Sequence, residues 1–355
     1  MPKLELSKKK SFPSAGELPL VSIIITNYNY GKFLPRAIES ALQQTYPLKE
    51  LIVVDDGSTD NSRQIINSYG NKLTPVFQEN RGMVPATNVG FSLSQGEVIF
   101  FLDADDIFFP HKVEEMVKYF LQVIPQNPAV LIFHRLEITT DEGGIRIIRP
   151  RRLRTVDGKK KNGLFEKLSD PESSYRYIQK WGFLPFIASR NSGLSLTRSL
   201  ARCLFPLPEE RALFQGRLLV YGSMLLGSVY GTSQVLGSYI IHKDNATYNP
   251  VWAEMCGKRG QIMENFLNDT LQKMNKKRIA SFYDSPRAQL YYNERGRTKG
   301  LLKLAYKIPA RCFCLETIWF SLQILWYCFK LVVGIKKRPW HTLKQKMLVK
   351  TKRFN

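Results

Sequence analysis

Unbroken runs of β-branched and aromatic residues alternate, over the first 134 positions, with stretches in which apolar residues recur every three or four. Leu51–Val54 and Val98–Leu102 are the clearest of these runs, and Leu20–Thr26, Leu73–Gln78 and Ala129–His134 read as further strands. Segments this short that stay apolar at successive positions predict strands of a parallel sheet covered on both faces. Between them, Phe33–Thr45 sets Leu34, Ile38, Ala41 and Leu42 on one stripe, the pattern of a helix lying on a sheet. Thr59–Tyr69, with Ser58 or Thr59 as cap, and His111–Leu121, with Pro110 suited to the first helical position, predict two more crossovers. A further helix, Pro85–Ser94, carries Ala86, Asn88 and Gly90 on one side, small enough to let backbone approach a ligand closely. Ile138–Ile148 reads as a hairpin around Asp141-Glu142-Gly143-Gly144.

Two of the runs end in carboxylates. Leu51–Val54 runs into Asp55-Asp56-Gly57-Ser58, and Val98–Leu102 into Asp103-Ala104-Asp105-Asp106. Ligands of open α/β sheets sit outside the carboxyl ends of the strands. Carboxylates crowded there repel one another and lose hydration, so they call for a cation. An all-oxygen set suits Mg²⁺ or Mn²⁺ carrying a phosphate. Asp, Gly and Ser are also ordinary turn and cap residues, so either cluster alone is as consistent with structure as with chemistry. Two such clusters in one α/β unit favour a metal-dependent nucleotide site.

Composition narrows the partners. The chain has 355 residues and a formal net charge of +22, with a pI near 9.8, which favours an anionic partner. Part of that charge lies in Arg149–Arg154 and Lys159–Lys161, a stretch that reads as a mobile loop, with contact to an anionic acceptor as the sharper alternative. More lies in the tail, where Thr317–Gly334 is rich in Trp, Phe, Leu and Ile and is followed by Lys336–Arg353. Glu316 and Lys330 bound too short an uncharged stretch for a bilayer span of roughly 20 residues. A monotopic segment with a polybasic end, docking on an anionic membrane surface, fits better than a spanning helix. Five cysteines without metal-ligand spacing argue against a disulfide framework or a zinc site and for a cytoplasmic protein, peripheral at the inner face of the plasma membrane. Residues 1–17 form a basic leader without the apolar segment of a secretory signal.

Further motifs stand in order around the clusters: Val21-Ser-Ile-Ile-Ile-Thr-Asn-Tyr28-Asn29, Asn80-Arg81-Gly82, Ala86-Thr87-Asn88-Val89-Gly90 and Gly96-Glu97. Downstream come Asn191-Ser192-Gly193-Leu194-Ser195 and Tyr239-Ile-Ile-His242-Lys-Asp-Asn245. Together they resemble the family 2 glycosyltransferases of GT-A fold, over residues 18–245. The resemblance implies an α/β fold, a Rossmann-like, mostly parallel sheet flanked by helices. Residues 18–134 would form the donor half, 135–245 the acceptor half, and 246–355 a mainly helical extension.

The activity it implies is transfer of a sugar, with inversion, from a nucleotide-sugar donor, a UDP-sugar foremost, to the hydroxyl of a glycan or lipid-linked glycan acceptor. Surface polysaccharide or lipopolysaccharide synthesis is the expected setting. Thr26, Tyr28, Asn29, Asp55 and Asp56 would hold the nucleoside, Tyr28 by stacking. Arg81 and Asn88 would line the donor pocket. Asp103, Ala104 and Asp105 match the DxD motif, and Asp103, Asp105 and Asp106 would hold the Mn²⁺ or Mg²⁺ cofactor. His242 would contact the diphosphate or the metal.

One departure stands out. An inverting transfer needs a general base, yet the register of Pro208–Leu218 puts Gly216 where the family has an Asp. Glu209 or Glu210 would then be the base; the alternative is a catalytically weakened nucleotide-sugar-binding protein of the same fold. A nucleic-acid-binding module would interleave its cations with exposed aromatics, whereas these gather in one loop and the tail. A nucleotidyltransferase would follow its first strand with a Gly-rich loop, where this chain has Thr26-Asn-Tyr-Asn-Tyr-Gly31.

Overall fold

A computed structural model describes residues 17–141, 153–181, 184–185, 190–209, 215–243, 245, 256–278 and 280. The chain runs β1 (Val21–Asn27), α1 (Leu34–Leu42), β2 (Lys49–Asp55), α2 (Ser62–Ser68), β3 (Thr74–Phe77), α3 (Met83–Leu93), β4 (Val98–Asp103), β5 (Ile107–Phe108), α4 (Lys112–Val123) and β6 (Val130–Thr140). It continues through β7 (Leu153–Arg154), β8 (Lys160–Lys161), β9 (Phe165–Ser169), α5 (Pro171–Trp181), β10 (Leu194–Thr197), α6 (Arg198–Leu204), α7 (Gln215–Leu226), β11 (Ser228–Ile241) and α8 (Cys256–Lys273). Among the described residues one sheet of nine strands has the order β3-β2-β1-β4-β10-β6-β11-β5, with β9 also on β11. β3, β2, β1 and β4 are parallel to one another. β10 enters antiparallel between β4 and β6, and β11 lies parallel to β6.

The double coverage expected from the apolar runs is visible residue by residue. Ile23, Ile25, Phe100 and Leu102 point to one face, where they pack with α1 and α4 through Leu34, Ile38, Met116 and Phe120. Ile24, Ile99 and Phe101 point to the other, into a cluster with α6, α7 and α8 through Leu200, Leu204, Leu218 and Leu267. Period-two alternation within unbroken apolar strands is what a sheet buried on both sides produces. α8, which lies beyond residue 245, contributes Met263, Leu267 and Leu271 to that second cluster.

Two expectations change. The close approach that Gly90 permits is to the sheet rather than to a ligand: a Cβ there would meet Ile24 Cγ2 at 2.6 Å and Val54 Cγ2 at 3.3 Å. The cationic stretch expected to be a mobile loop contains an antiparallel ribbon, β7 on β8. Leu153 and Val156 are buried and anchor it to the core between the charged residues, and Gly158, at φ +89°, makes the turn. Residues 149–152, the second arm of the hairpin at 138–148, the leader, and the tail from 317 lie outside the described residues.

Gly90→Ala is expected to destabilise the protein by about 1–3 kcal/mol, because the added methyl overpacks a buried helix–sheet contact. Ser92→Ala, on the exposed side of the same helix, should stay within about 0.5 kcal/mol. Urea unfolding of the two variants compares them directly.

Candidate active site

The loops that follow β1, β2 and β4 meet at one edge of the sheet. Asn27, the last residue of β1, pairs in register with Asp55, the last of β2, and its Nδ2 donates to Asp55 Oδ1 at 2.7 Å. Ser58 closes the turn, donating its Oγ–H to the same oxygen at 2.5 Å and its N–H to Asp55 Oδ2 at 3.1 Å. The N–H of Asn29 donates to Ser58 Oγ at 2.8 Å, and Asn29 Oδ1 accepts from Thr59 N–H at 2.7 Å. Asn29 sits at φ +58°, in the left-handed region that Asn tolerates better than most residues. Asp55 is therefore the buried fastener of two loops. Between them Tyr28 stays 45% exposed, an aromatic face held in solvent.

Asp56 turns the other way. Its Oδ1 accepts from Gln78 Nε2 at 2.7 Å and Arg81 N–H at 2.9 Å, and its Oδ2 from Gly82 N–H at 2.7 Å. A carboxylate accepts about four hydrogen bonds, so one lone pair on Oδ2 remains. The arrangement fixes the entry to α3. One turn further on, Asn88 clamps the backbone of Leu207, donating to its carbonyl and accepting from its N–H, both at 2.9 Å. Asn88 also donates to Glu209 Oε1 at 3.1 Å, and Arg81 donates to Glu209 Oε2 in an ion pair. Both carboxylate oxygens of Glu209 are thus engaged; Glu210 lies outside the described residues.

The second acidic cluster is the electrostatic centre. One oxygen from each of Asp103, Asp105 and Asp106 lies within 4.8 Å of the others. Asp103 Oδ1 accepts from Asn191 Nδ2 at 2.6 Å. Asp105 Oδ2 lies 3.0 Å from His242 Nε2 and accepts from Asn245 Nδ2 at 3.0 Å. Asp106, fully buried, accepts from Ser192 Oγ at 2.5 Å and from Ile240 N–H at 3.1 Å. Ser192 is the hub: its Oγ also accepts from Asp103 N–H at 3.0 Å, and its carbonyl accepts from Lys112 Nζ at 2.7 Å. Lys112 is itself fully buried, 3.0 Å above the centre of the Phe108 ring.

These surroundings shift the protonation equilibria. Burial, and after it the charge of Asp105, pushes the Asp103 carboxyl up to about 7. Burial and the same neighbours push Asp106 well above the ordinary carboxylate range, and burial lowers Lys112 well below the usual ammonium value against the pull of Asp106. Three crowded carboxylates offer an all-oxygen set that fits a hard divalent cation. Asp106 already has a donor on each oxygen, so Asp103 and Asp105 offer the more open lone pairs.

The expected residues converge in part. Asp103, Asp105, Asp106 and His242 come together, and Thr26 lies beside Asp103 in register. Arg81, Asn88 and Glu209 form a second group. Ala104 turns its methyl into the core, leaving only its backbone for a ligand. Gly216 opens α7 next to Asn191, and a Cβ there would make ordinary contacts, 3.7 Å from Asn191 Oδ1 and 3.5 Å from Leu194 Cδ1. Gly216, the position where the register of the sequence expects an Asp, thus lies next to Asn191, with room for a side chain. Site assignment from sequence missed Asn191, Ser192, Asn245 and Lys112. The first three sit in segments already recognised as motifs, and Lys112, the first residue of α4, carries no such signal.

Residues 22–176 match the family described as Glycosyl transferase family 2. An uncharacterized glycosyltransferase of Nostoc sp. is 34% identical over 266 residues, which are 72% of this chain and 76% of that protein. One of Rickettsia felis is 38% identical over 145 residues, but the match spans only 24% of its length. Among solved structures, S. aureus TarS 1-349 in complex with UDP-GlcNAc is similar at a TM-score of 0.48 and 18% identity, with 82% of each chain covered.

The acidic cluster predicts a pH dependence. In the folded, metal-free protein Asp103 keeps its proton to about 7, whereas the unfolded chain releases it near 3.8. The folded state therefore holds more protons between these values, and stability falls as pH rises through that window. Thermal melts without metal from about pH 4 to about pH 8 should show the decline, and Asp103→Asn should reduce it, with Asp106 supplying the remainder in the same direction. Lys112 works in the opposite direction, so the comparison with Asp103→Asn isolates the carboxylate. Titrations with Mn²⁺ or Mg²⁺ should show affinity rising with pH to about 7, because the ion displaces the proton.

Proposed function

The chain belongs to glycosyl transferase family 2, and on that premise we propose that it moves a sugar, with inversion, from a nucleoside diphosphate donor to a glycan or lipid-linked hydroxyl, in surface polysaccharide or lipopolysaccharide synthesis. The observation that carries this reading is the convergence of Asp103, Asp105 and Asp106 with His242 and Asn245 at the carboxyl edge of the parallel strands. Tyr28 offers its exposed ring for the base, and Thr26, Asn29, Asp55 and Asp56 shape the loops that would hold the nucleoside. Asp103 and Asp105, with Asp106 behind them, would hold Mn²⁺ or Mg²⁺, whose charge offsets the negative charge developing on the leaving diphosphate. His242, held against Asp105, faces the same group. The sequence of residues 317–353 supports a peripheral position on anionic lipid at the cytoplasmic face.

The base is read as Glu209 or its neighbour Glu210. Glu209 is fixed by Arg81 and Asn88, which would position it toward an acceptor. A second reading, donor binding with weakened transfer, is favoured by one observation: Gly216 leaves room beside Asn191 where a carboxylate would reach the acidic cluster.

Calorimetry with a panel of UDP, GDP and dTDP sugars tests the donor site. Asp105→Ala should abolish metal-dependent binding, and Asp56→Ala should weaken binding with or without metal; unchanged binding in both variants would refute the assignment. Turnover with the best donor tests the base. Glu→Gln at the true base should lower the rate by roughly 10²- to 10⁴-fold while donor affinity holds. Full activity in Glu209→Gln, Glu210→Gln and the double variant excludes both. A rate gain in Gly216→Asp would then support the weakened-transfer reading.

A further inference from the structure

Arg190 is absent from every motif that identified the site, yet its place in the fold gives it a function. It is the residue before the 3₁₀ turn Asn191–Gly193, the turn that supplies Asn191 to Asp103 and Ser192 to Asp106. Its backbone is extended, at φ −70° and ψ 170°, and its carbonyl accepts from Gly193 N–H at 2.9 Å. The guanidinium carbon stands 3.7 Å above the ring of Tyr239. Tyr239 directly precedes Ile240, whose N–H binds Asp106, so the stack ties Arg190 to the strand end that frames the carboxylates.

Three features of Arg190 point to a ligand. The residue is exposed, and among the described residues it enters no ion pair, unlike Lys32, Arg36, Arg81, Lys118, Lys161 and Arg278. Its charge is nonetheless close enough to Asp103 to favour that carboxylate's ionised form. Stacking on an aromatic face holds the guanidinium plane without using its N–H donors, which leaves the fork available for an anion such as a phosphate.

We propose that Arg190 is a donor-site residue that binds the diphosphate of the nucleotide sugar beside the acidic cluster, with Tyr239 as the platform that aims it. This rests on the donor-site reading above. In the transfer, the acceptor oxygen forms a bond to the anomeric carbon as the bond from that carbon to the β-phosphate oxygen breaks. The bonding pair stays on the phosphate oxygen, and the acceptor's proton passes to the base. The leaving diphosphate gains one negative charge, and Arg190 is placed to bind that charge more strongly than it binds the intact donor. The same contact discriminates a diphosphate from a monophosphate.

Wild type, Arg190→Gln and Arg190→Lys are titrated calorimetrically with UDP, GDP and dTDP in Mn²⁺, and with the monophosphate of whichever binds most tightly. Thermal melts confirm that each variant is folded. Arg190→Gln should lose about 10- to 100-fold in diphosphate affinity, the range of a charge-assisted contact, while monophosphate affinity stays within about twofold. Arg190→Lys, which keeps the charge without the planar fork, should recover part of the loss. Equal diphosphate affinity in wild type and Arg190→Gln overturns the proposal, as does an equal loss for both nucleotides, which marks a structural role. If wild type binds no nucleoside diphosphate, the donor-site reading itself falls.

Discussion

The repulsion among three carboxylates at the end of β4 is the constraint around which the rest of the site is arranged. Two unit charges 4.8 Å apart cost about 3 kcal/mol at the effective dielectric of a protein interior, and three such pairs cannot all be ionised without help. The fold answers in layers. Asn191, Ser192 and Asn245 give hydrogen bonds to individual oxygens, the Ile240 N–H gives one from the backbone, and Lys112 stands behind, its Nζ bonded to the Ser192 carbonyl. The deficit that remains is met by a proton on Asp103, and on the proposed reading a divalent ion would compete with that proton and so link the site to pH.

Much of the donor half was legible because it is local. A parallel strand buried on both faces has a plain signature, and β1, β2 and β4 were placed within one or two residues. The acids at their ends were correctly read as lying at one edge of the sheet. The acceptor half was harder because its strands depend on distant partners. β10 is four residues long, and β11 pairs at different points with β6, β5 and β9. Short or irregular strands hold their shape through tertiary contacts that no local pattern displays.

The same distinction explains the residues whose neighbourhood was misjudged. The small side chains of α3 were read as making room for a ligand, but Ala86 and Gly90 lie against Ile52, Val54 and Ile24. The cationic stretch was read as a mobile loop, yet Leu153 and Val156 are buried and pin it down. Lys112 was invisible as a functional group because a lysine near the start of a helix is usually solvated. Only the packing of Phe108 and the Ser192 carbonyl around its ammonium shows that it belongs to the interior.

The insertion of β10 between β4 and β6 has a consequence for biogenesis. Val98–Leu102 is apolar throughout, and among the described residues its outer edge pairs with residues 195–197, nearly a hundred positions later in the chain. Until residues 195–197 are in place, β4 would present a bare edge of Val, Ile, Phe, Phe and Leu. Such an edge is a template for pairing with other chains. The turn that serves the carboxylates through Asn191 and Ser192 thus leads directly into the strand that closes this edge.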